Sequence, residues 1–443
     1  MQGATRISFK VTDLGISMRE GVVVFSRFRW ALRKGFRIVL ICLIFLSFTP
    51  VAVSAKQFPV NTGFDLNDLN LGDGNCVAFI LIIIPAVNIF CTLRAAVEEA
   101  NVYPGEDTIN LPSGFFRFQI DGRDEDAAIS GDLDITESLI IRGKGGSNTI
   151  IDAKQIDRVF DIFGEDTTVT IRDLTILNGE ALADGGAVRN EGNLYLENVV
   201  LLNSTVMASD NKGQGGILYN NGMASIVQST LQGGKSFEGG AVFNDRKGLM
   251  SILSSTISNN NAANGSGISN YGFMSLTNST ISENGNNGTL FGGGILNYKD
   301  IVLQHVTIAN NMADNGGGIS NWSSIKLQNT LVANNTGMDC NTSDSIISSG
   351  YNLDSDTTCS LEQQTDITGV DAGLENLQNN GGLTRTHNLS RFSPARDSGL
   401  AVDGIGYDQR GVARPFGKGV DIGSVENNSS VISPMLTPLI LSN

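Results

Sequence analysis

The sequence predicts an all-β chain: a single-stranded right-handed parallel β-helix with a short N-terminal capping helix and an irregular C-terminal cap. Three observations lead there. A Gly-led hexapeptide ending in Asn recurs six times, with its last residue at Asn190, Asn220, Asn244, Asn270, Asn297 and Asn321, so that successive spacings are 30, 24, 26, 27 and 24. A second phrase keeps the same rhythm, at Thr175-Ile176, Val200-Leu201, Thr230-Leu231, Thr256-Ile257, Thr280-Ile281, Thr307-Ile308 and Thr330-Leu331. Each period holds about three short alternating runs separated by Gly, Asn, Ser and Asp. Those runs are too short for propeller blades, and the regular Leu spacing of leucine-rich repeats is absent. Short strands that each pair with their equivalent one period later wrap the backbone into stacked coils with Ile, Val, Leu and Ala inside.

The composition agrees with many short strands and tight turns. Gly is abundant at 52 residues, aromatics make up 7% and charged residues only 17%. The first 55 residues hold eight Lys or Arg against Asp13 and Glu20, so the net charge of −15 for the whole chain leaves −21 on the remainder. A body that acidic repels nucleic acid and anionic membrane and attracts cations or basic partners.

Residues 1–55 read as a secretory signal peptide. Arg33, Lys34 and Arg37 precede an apolar run over 38–48, and Val53-Ser54-Ala55 supplies the small residues of a cleavage site. Secretion to the extracellular space or cell surface follows, with no membrane span once the leader is removed. Cys42 leaves with it, and Cys76, Cys91, Cys340 and Cys359 remain as an even set in an oxidising compartment. Of three pairings, proximity in sequence favours Cys76 with Cys91 and Cys340 with Cys359.

Residues 56–105 form an N-terminal cap, because an open β-helix end exposes unpaired backbone that must be covered. Leu93, Ala96, Val97 and Ala100, at three- and four-residue steps, predict the short amphipathic helix that covers it. The same cap holds an insert over 77–90, fourteen almost wholly apolar residues with Pro85, closed between Cys76 and Cys91. It reads as a loop or hairpin packed over the cap, or as an exposed apolar finger that touches membrane, envelope or a partner. The β-helix itself spans 106–340, its first coils less regular. The repeated Gly suits corners with positive φ, and the repeated Asn suits both the left-handed conformation and a coil-to-coil amide ladder. Residues 341–427 form the C-terminal region and 428–443 a tail.

Two sets of phrases carry a family resemblance. Cys91-Thr92-Leu93-Arg94-Ala95-Ala96-Val97 followed by Ala100-Asn101 is similar to a CSLREA-type motif, with departures at Thr92, Ala95 and Val97. Asn380-Gly381-Gly382-Leu383-Thr384, Thr386-His387, Ser393-Pro394-Ala395-Arg396-Asp397-Ser398-Gly399, Asp408-Gln409-Arg410-Gly411, Arg414-Pro415 and Asp421-Ile422-Gly423-Ser424-Val425-Glu426 resemble a choice-of-anchor Q region. The chain over residues 70–427 thus resembles bacterial surface proteins that join these motifs to pectate-lyase-like β-helix repeats. The resemblance implies export and architecture, and no catalytic activity.

The candidate chemistry is sparse. Asp121, Asp124, Asp126, Asp132 and Asp134 could supply hard oxygen ligands to Ca²⁺, although their spacing matches neither the EF-hand nor the calcium β-roll; no other cofactor is expected. Asp184, Asp245, Glu283, Asp300 and Asp314 do not recur at one coil position, so no carboxylate pair stands out for glycoside hydrolysis. His305, on an expected strand, and His387 lack a Ser or Cys constellation, and Asp408 with Arg410 reads as a pair that holds loops. Tyr219, Phe243, Tyr271, Tyr298 and Trp322 lie on either side of the repeated Asn as an aromatic stripe for sugar stacking. The expectation is a secreted scaffold for adhesion or for binding a glycan or surface protein. A polysaccharide lyase or glycoside hydrolase is the alternative, and a structural envelope spacer the third reading.

Overall fold

The computed structural model describes residues 55–427, apart from 84, 85, 124 and 208–211, together with a small antiparallel pairing of Met18–Arg19 with Val22–Val23. The leader expected over 1–55, Cys42 within it, and the tail over 428–443 lie outside the described residues save for that pairing and Ala55.

Between Gln57 and Thr368 the chain winds as a right-handed parallel β-helix. One face is a sheet of nine three-residue strands, from Leu133–Ile135 through Val188–Asn190 to Cys340–Thr342, each parallel to the next. A second sheet of 20 strands carries the rest of each coil, usually as two strands that meet at a bend. In one coil these are Phe273–Thr277 and Thr280–Ser282. The bend residue takes the left-handed conformation in seven successive coils, as Asp173, Asn198, Gln228, Ser254, Asn278, His305 and Asn329 with φ of 46 to 58°. His305 therefore occupies a corner, where the sequence suggested a strand. The hexapeptide's first Gly makes another corner: Gly292 has φ +62°, and a Cβ there would lie 2.6 Å from the Ile295 carbonyl oxygen.

Side chains that point inward stack on their equivalents coil after coil. Leu201, Leu231, Ile257, Ile281, Ile308 and Val332 form one such column, all essentially inaccessible to solvent. Burying each contributes about 1.5–3 kcal/mol, and the register is set because a slip of one residue would turn the column outward.

Parallel pairing extends outside 106–340 in both directions. Gln57–Pro59 pairs with Asp107–Asn110, and Ile367–Thr368 pairs with Leu353–Asp354. These rungs lack the Gly-Gly phrase, so the rhythm does not announce them. The one α-helix among the described residues is Leu93–Val102, capped by Thr92, whose side chain accepts from the Ala95 N–H. Its Arg94 is buried, bonded to Asp65 at 2.7 Å and to the carbonyls of Ala128, Gly131 and Asp132. Both expected disulfides are formed, Cys76 to Cys91 and Cys340 to Cys359.

The C-terminal region does more than close an end, because it also runs back along one flank of the coils. The Thr residues of the second phrase are its attachment points: Thr256 Oγ1 donates to the Arg385 carbonyl at 2.6 Å, and Thr280 Oγ1 donates to Gln409 Oε1 at 2.7 Å. The Ser424 N–H donates to Thr307 Oγ1 at 3.0 Å.

Candidate functional site

Stacking places one residue of every coil in line with its counterparts, so a surface site on this fold is a set of columns. On the nine-strand face the central strand residues form a column that includes Asp134, Asp161, Arg189, Tyr219, Phe243 and Ser269. A second column precedes the Gly-Gly corner and holds Asp184, Gln214, Glu238, Asn264, Phe291 and Asn315. A third follows the repeated Asn and carries Asp245, Tyr271, Tyr298 and Trp322.

The five aromatic residues of the stripe come together on this face. Their ring centroids are 5.7, 5.3, 4.6 and 6.2 Å apart in the order Tyr219, Phe243, Tyr271, Tyr298, Trp322. Tyr219 and Phe243 precede the repeated Asn and the other three follow it, so the stack changes column between coils. Consecutive planes lie within 31° of one another, so the rings turn faces toward their neighbours along the stack. The stripe is a self-stacked pillar, which corrects its reading as a row of open sugar platforms. Tyr219 Oη donates to Asp245 Oδ2 at 2.7 Å, and Tyr271 Oη donates to Glu238 Oε1 at 2.9 Å. Burial, reinforced by these carboxylates, raises both phenol pKa values. Burial likewise raises the Glu238 carboxyl. Glu238 shares the column of Asp184, two coils away with Gln214 between them, a register that the sequence spacing did not reveal.

Of the aspartates with calcium chemistry, Asp132 and Asp134 are buried and cluster with Asp161, one ligand oxygen of each lying within 4.8 Å of the others. Asp161 was not among the expected ligands. Asp121 and Asp126 are exposed and outside the cluster, and Asp124 lies outside the described residues. Arg158 Nη1 bonds Asp132 at 3.0 Å and Asp161 at 2.5 Å, and Arg189 Nε bonds Asp161 at 2.8 Å. Two guanidinium groups thus pair with Asp132 and Asp161, while Asp134 accepts the Ala128 N–H and meets neither arginine; Ca²⁺ would need six to eight oxygen ligands. Burial pushes the Asp132 carboxyl up to about 8 and the Asp134 carboxyl up to about 7. A second group, Asp339, Asp354 and Asp356, lies near the last coils, where backbone N–H groups and hydroxyls bond to each of them.

The repeated Asn residues face neither ligand nor solvent. Asn190, Asn220, Asn244, Asn270, Asn297 and Asn321 are buried, each Nδ2 donating to the next Oδ1 at 2.7 to 2.9 Å. A second ladder runs Asn260, Asn284, Asn311 and Asn335 at 2.9 to 3.0 Å and ends on Asp339.

His387 has a serine beside it, held as a structural contact. Its Nδ1 donates to the Glu375 carbonyl at 2.6 Å and its Nε2 lies 2.8 Å from Ser282 Oγ. Both residues are fully buried beneath the C-terminal region, and burial lowers the imidazole pKa. The pair fastens that region and is out of reach of a substrate. Asp408 and Arg410 bond through two guanidinium nitrogens at 2.7 and 2.9 Å.

Open space lies on the other sheet. A groove of about 370 Å³ is floored by outward residues of its long strands, the Ser225–Ser251–Ser275 column flanked by Met223, Leu249 and Phe273. It shares Ser251 with a second cavity of about 670 Å³ walled by residues 402–409 and 411. That wall presents Tyr407, 64% exposed, with Asp403 beside it, opposite Gln228, Thr277 and Gln304. The two spaces adjoin at Ser251 as a two-part trough, and each part falls within the volumes of ordinary ligand sites.

No family model matches the chain, and no curated protein sequence matches it either. Among solved structures the chain is similar to pectate lyase Pel9A, with a TM-score of 0.41 and 14% identity over 85% of this chain and 98% of that one. It is also similar to the A-module of the Azotobacter vinelandii mannuronan C-5 epimerase AlgE6, with a TM-score of 0.33 and 16% identity over 63% and 81%. A third is the PL6 family alginate lyase AlyGC, with a TM-score of 0.33 and 13% identity over 72% and 58%. At these identities and scores the likeness bears on no residue of the site.

Proposed function

We propose that this chain is an exported β-helix protein that binds an extended glycan in the trough over its long-strand face. The observation that carries the reading is the shared Ser251 edge, which joins the apolar flank at Met223, Leu249 and Phe273 to the cavity between Gln228 and the wall that carries Asp403 and Tyr407. Sugar rings offer an apolar C–H face and a rim of hydroxyls, and that surface meets both demands. Export is supported by two disulfides and by the signal-peptide pattern; among the described residues no helix is long and apolar enough to cross a membrane. The place of the chain among surface proteins with an anchor-type C-terminal region rests on its sequence phrases alone.

A glycan-array screen tests the reading, followed by titration of the strongest hit against Tyr407→Ala and Phe273→Ala. Each variant should weaken binding by about tenfold, the order of one aromatic contact. An array with no hit, or variants that bind as the parent does, would overturn the proposal. A reducing-end release assay run beside it separates binding from cleavage, since steady release would make the trough the site of a carbohydrate-cleaving enzyme.

A further inference from the structure

The insert between Cys76 and Cys91 is not packed over the cap. It forms an antiparallel hairpin of Phe79–Ile83 with Ala86–Phe90, and its side chains stand in solvent. Cross-strand pairing puts Ile80 opposite Ile89 and Ile82 opposite Val87, so alternation collects these four on one face. The other face carries Leu81, Ile83, Ala86 and Asn88, with Phe79 and Phe90 stacked at the base. Residues 77–90 include no charged side chain, in a chain of net charge −15. Exposure is greatest near the tip, at 68% for Ile82, 60% for Ile83 and 62% for Val87.

We infer that this hairpin is a lipid-contacting finger that inserts its tip into the outer boundary of an uncharged membrane surface. A contiguous apolar surface of this kind on an exported protein marks an interaction site. A second copy laid on the aliphatic face would cover four side chains, roughly 400 Å² per partner at about 100 Å² each. That is half of the roughly 800 Å² per partner that a stable interface buries, and it leaves the opposite face wet. A lipid phase covers both faces at once and asks for no directional partner, which suits a segment without charges. Depth is limited by the hairpin's outer edges, whose N–H and C=O groups have no strand beside them and cannot enter the hydrocarbon core. The tip therefore rests about 5–10 Å into the headgroup boundary, where water still reaches those edges. The clamp at Cys76–Cys91 fixes the base of the finger to the cap. This inference is independent of the glycan trough, which lies on other coils.

The test uses the full chain with its disulfides intact and phosphatidylcholine vesicles. Parent and variants share residues 1–55, so any difference belongs to the hairpin. In flotation, Ile82→Ser combined with Val87→Ser should bind at least about tenfold more weakly than the parent. Parent binding should be equal at low and high salt and no stronger on vesicles containing phosphatidylserine. A separate variant, Val87→Trp, reports insertion directly, through a blue shift and quenching by lipids brominated near the headgroup, whether or not the double variant folds. Failure of the parent to float, equal binding by a folded double variant, or an unquenched Val87→Trp would each overturn the inference. A dimer in sedimentation that the double variant abolishes, without flotation of the parent, would assign the finger to a second copy instead.

Discussion

Asn244 Nδ2 donates to Asn270 Oδ1 across 2.8 Å in the buried interior of two successive coils, and Asn270 Nδ2 repeats the bond to Asn297 at 2.9 Å. The left-handed corners are made by other residues, such as Asn198, Asn278 and Asn310. The two roles expected of one Asn are divided between positions.

Replacing Asn270 by Ala removes both bonds, while Asn244 Nδ2 keeps the Gly248 and Phe273 carbonyls and Asn297 Oδ1 keeps the Lys299 N–H. At roughly 0.5–1.5 kcal/mol for each lost bond, a loss of about 1–3 kcal/mol is expected. Urea unfolding of the purified chain measures it. A loss below about 0.5 kcal/mol would mean that neighbouring groups re-pair and that the ladder is not continuous in solution.

Gly293 makes a sharper demand. A Cβ there would meet the Gly317 and Met312 carbonyl oxygens, both at 2.5 Å, on the next coil. Gly293→Ala must push two coils apart and should destabilise by about 2–4 kcal/mol, the range of overpacking within a rigid interior. Gly406, where a Cβ meets nothing within 4 Å, is the control, and its Ala variant should stay within about 0.5 kcal/mol of the parent.

Repetition explains why the coil architecture could be read from sequence. Each inward Ile, Leu or Val recurs at every period, and the Gly-Gly corner is required wherever coils approach closely. The site was less legible, because surface columns are defined by what stacks in space. Tyr219 and Tyr271 sit on opposite sides of their Asn and still belong to one stack, since ring size bridges the change of column. Glu238 and Asp184 share a column across coils of unequal length, and unequal loops hide that register from simple counting. The trough was invisible for a different reason. Its wall comes from residues 402–409 and 411, which fold back about 125–185 positions in sequence to meet Gln228, Ser254 and Thr277, and no local pattern encodes that return.

The same return predicts a local weakness. Gln409 Nε2 donates to Thr256 Oγ1 and Thr384 Oγ1, both at 2.9 Å, while its Oε1 accepts from Thr280. Gln409→Leu leaves those hydroxyls buried with fewer partners and should loosen residues 384–411 by about 2–3 kcal/mol. Hydrogen exchange should show faster opening of that stretch with little change in the coils around Leu201. Uniform acceleration along the whole chain would contradict a separate attachment.

The Asp132, Asp134 and Asp161 cluster gives the pH dependence its sign. Burial raises the folded Asp134 carboxyl to about 7 from an ordinary 3.8, so the folded state holds a proton that the unfolded state has released. Stability from this group is fully present below pH 3.8 and is lost as pH climbs through about 7; Asp132, raised to about 8, extends the loss by one further unit. Each group removes at most about 1.4 kcal/mol per pH unit inside its window. Asp134→Asn cannot ionise, keeps an oxygen to accept the Ala128 N–H, and places an amide where Asp134 Oδ1 now has no partner. It should flatten the melting-temperature profile between pH 4 and 7 and leave the variant more stable than the parent at the upper end. A parallel profile for parent and variant would show that the cluster is ionised and compensated throughout. Added Ca²⁺ is set against excess EDTA: with Arg158 and Arg189 already paired to Asp132 and Asp161, neither should move the melting temperature, whereas a Ca²⁺-dependent rise would show that a metal displaces the arginines.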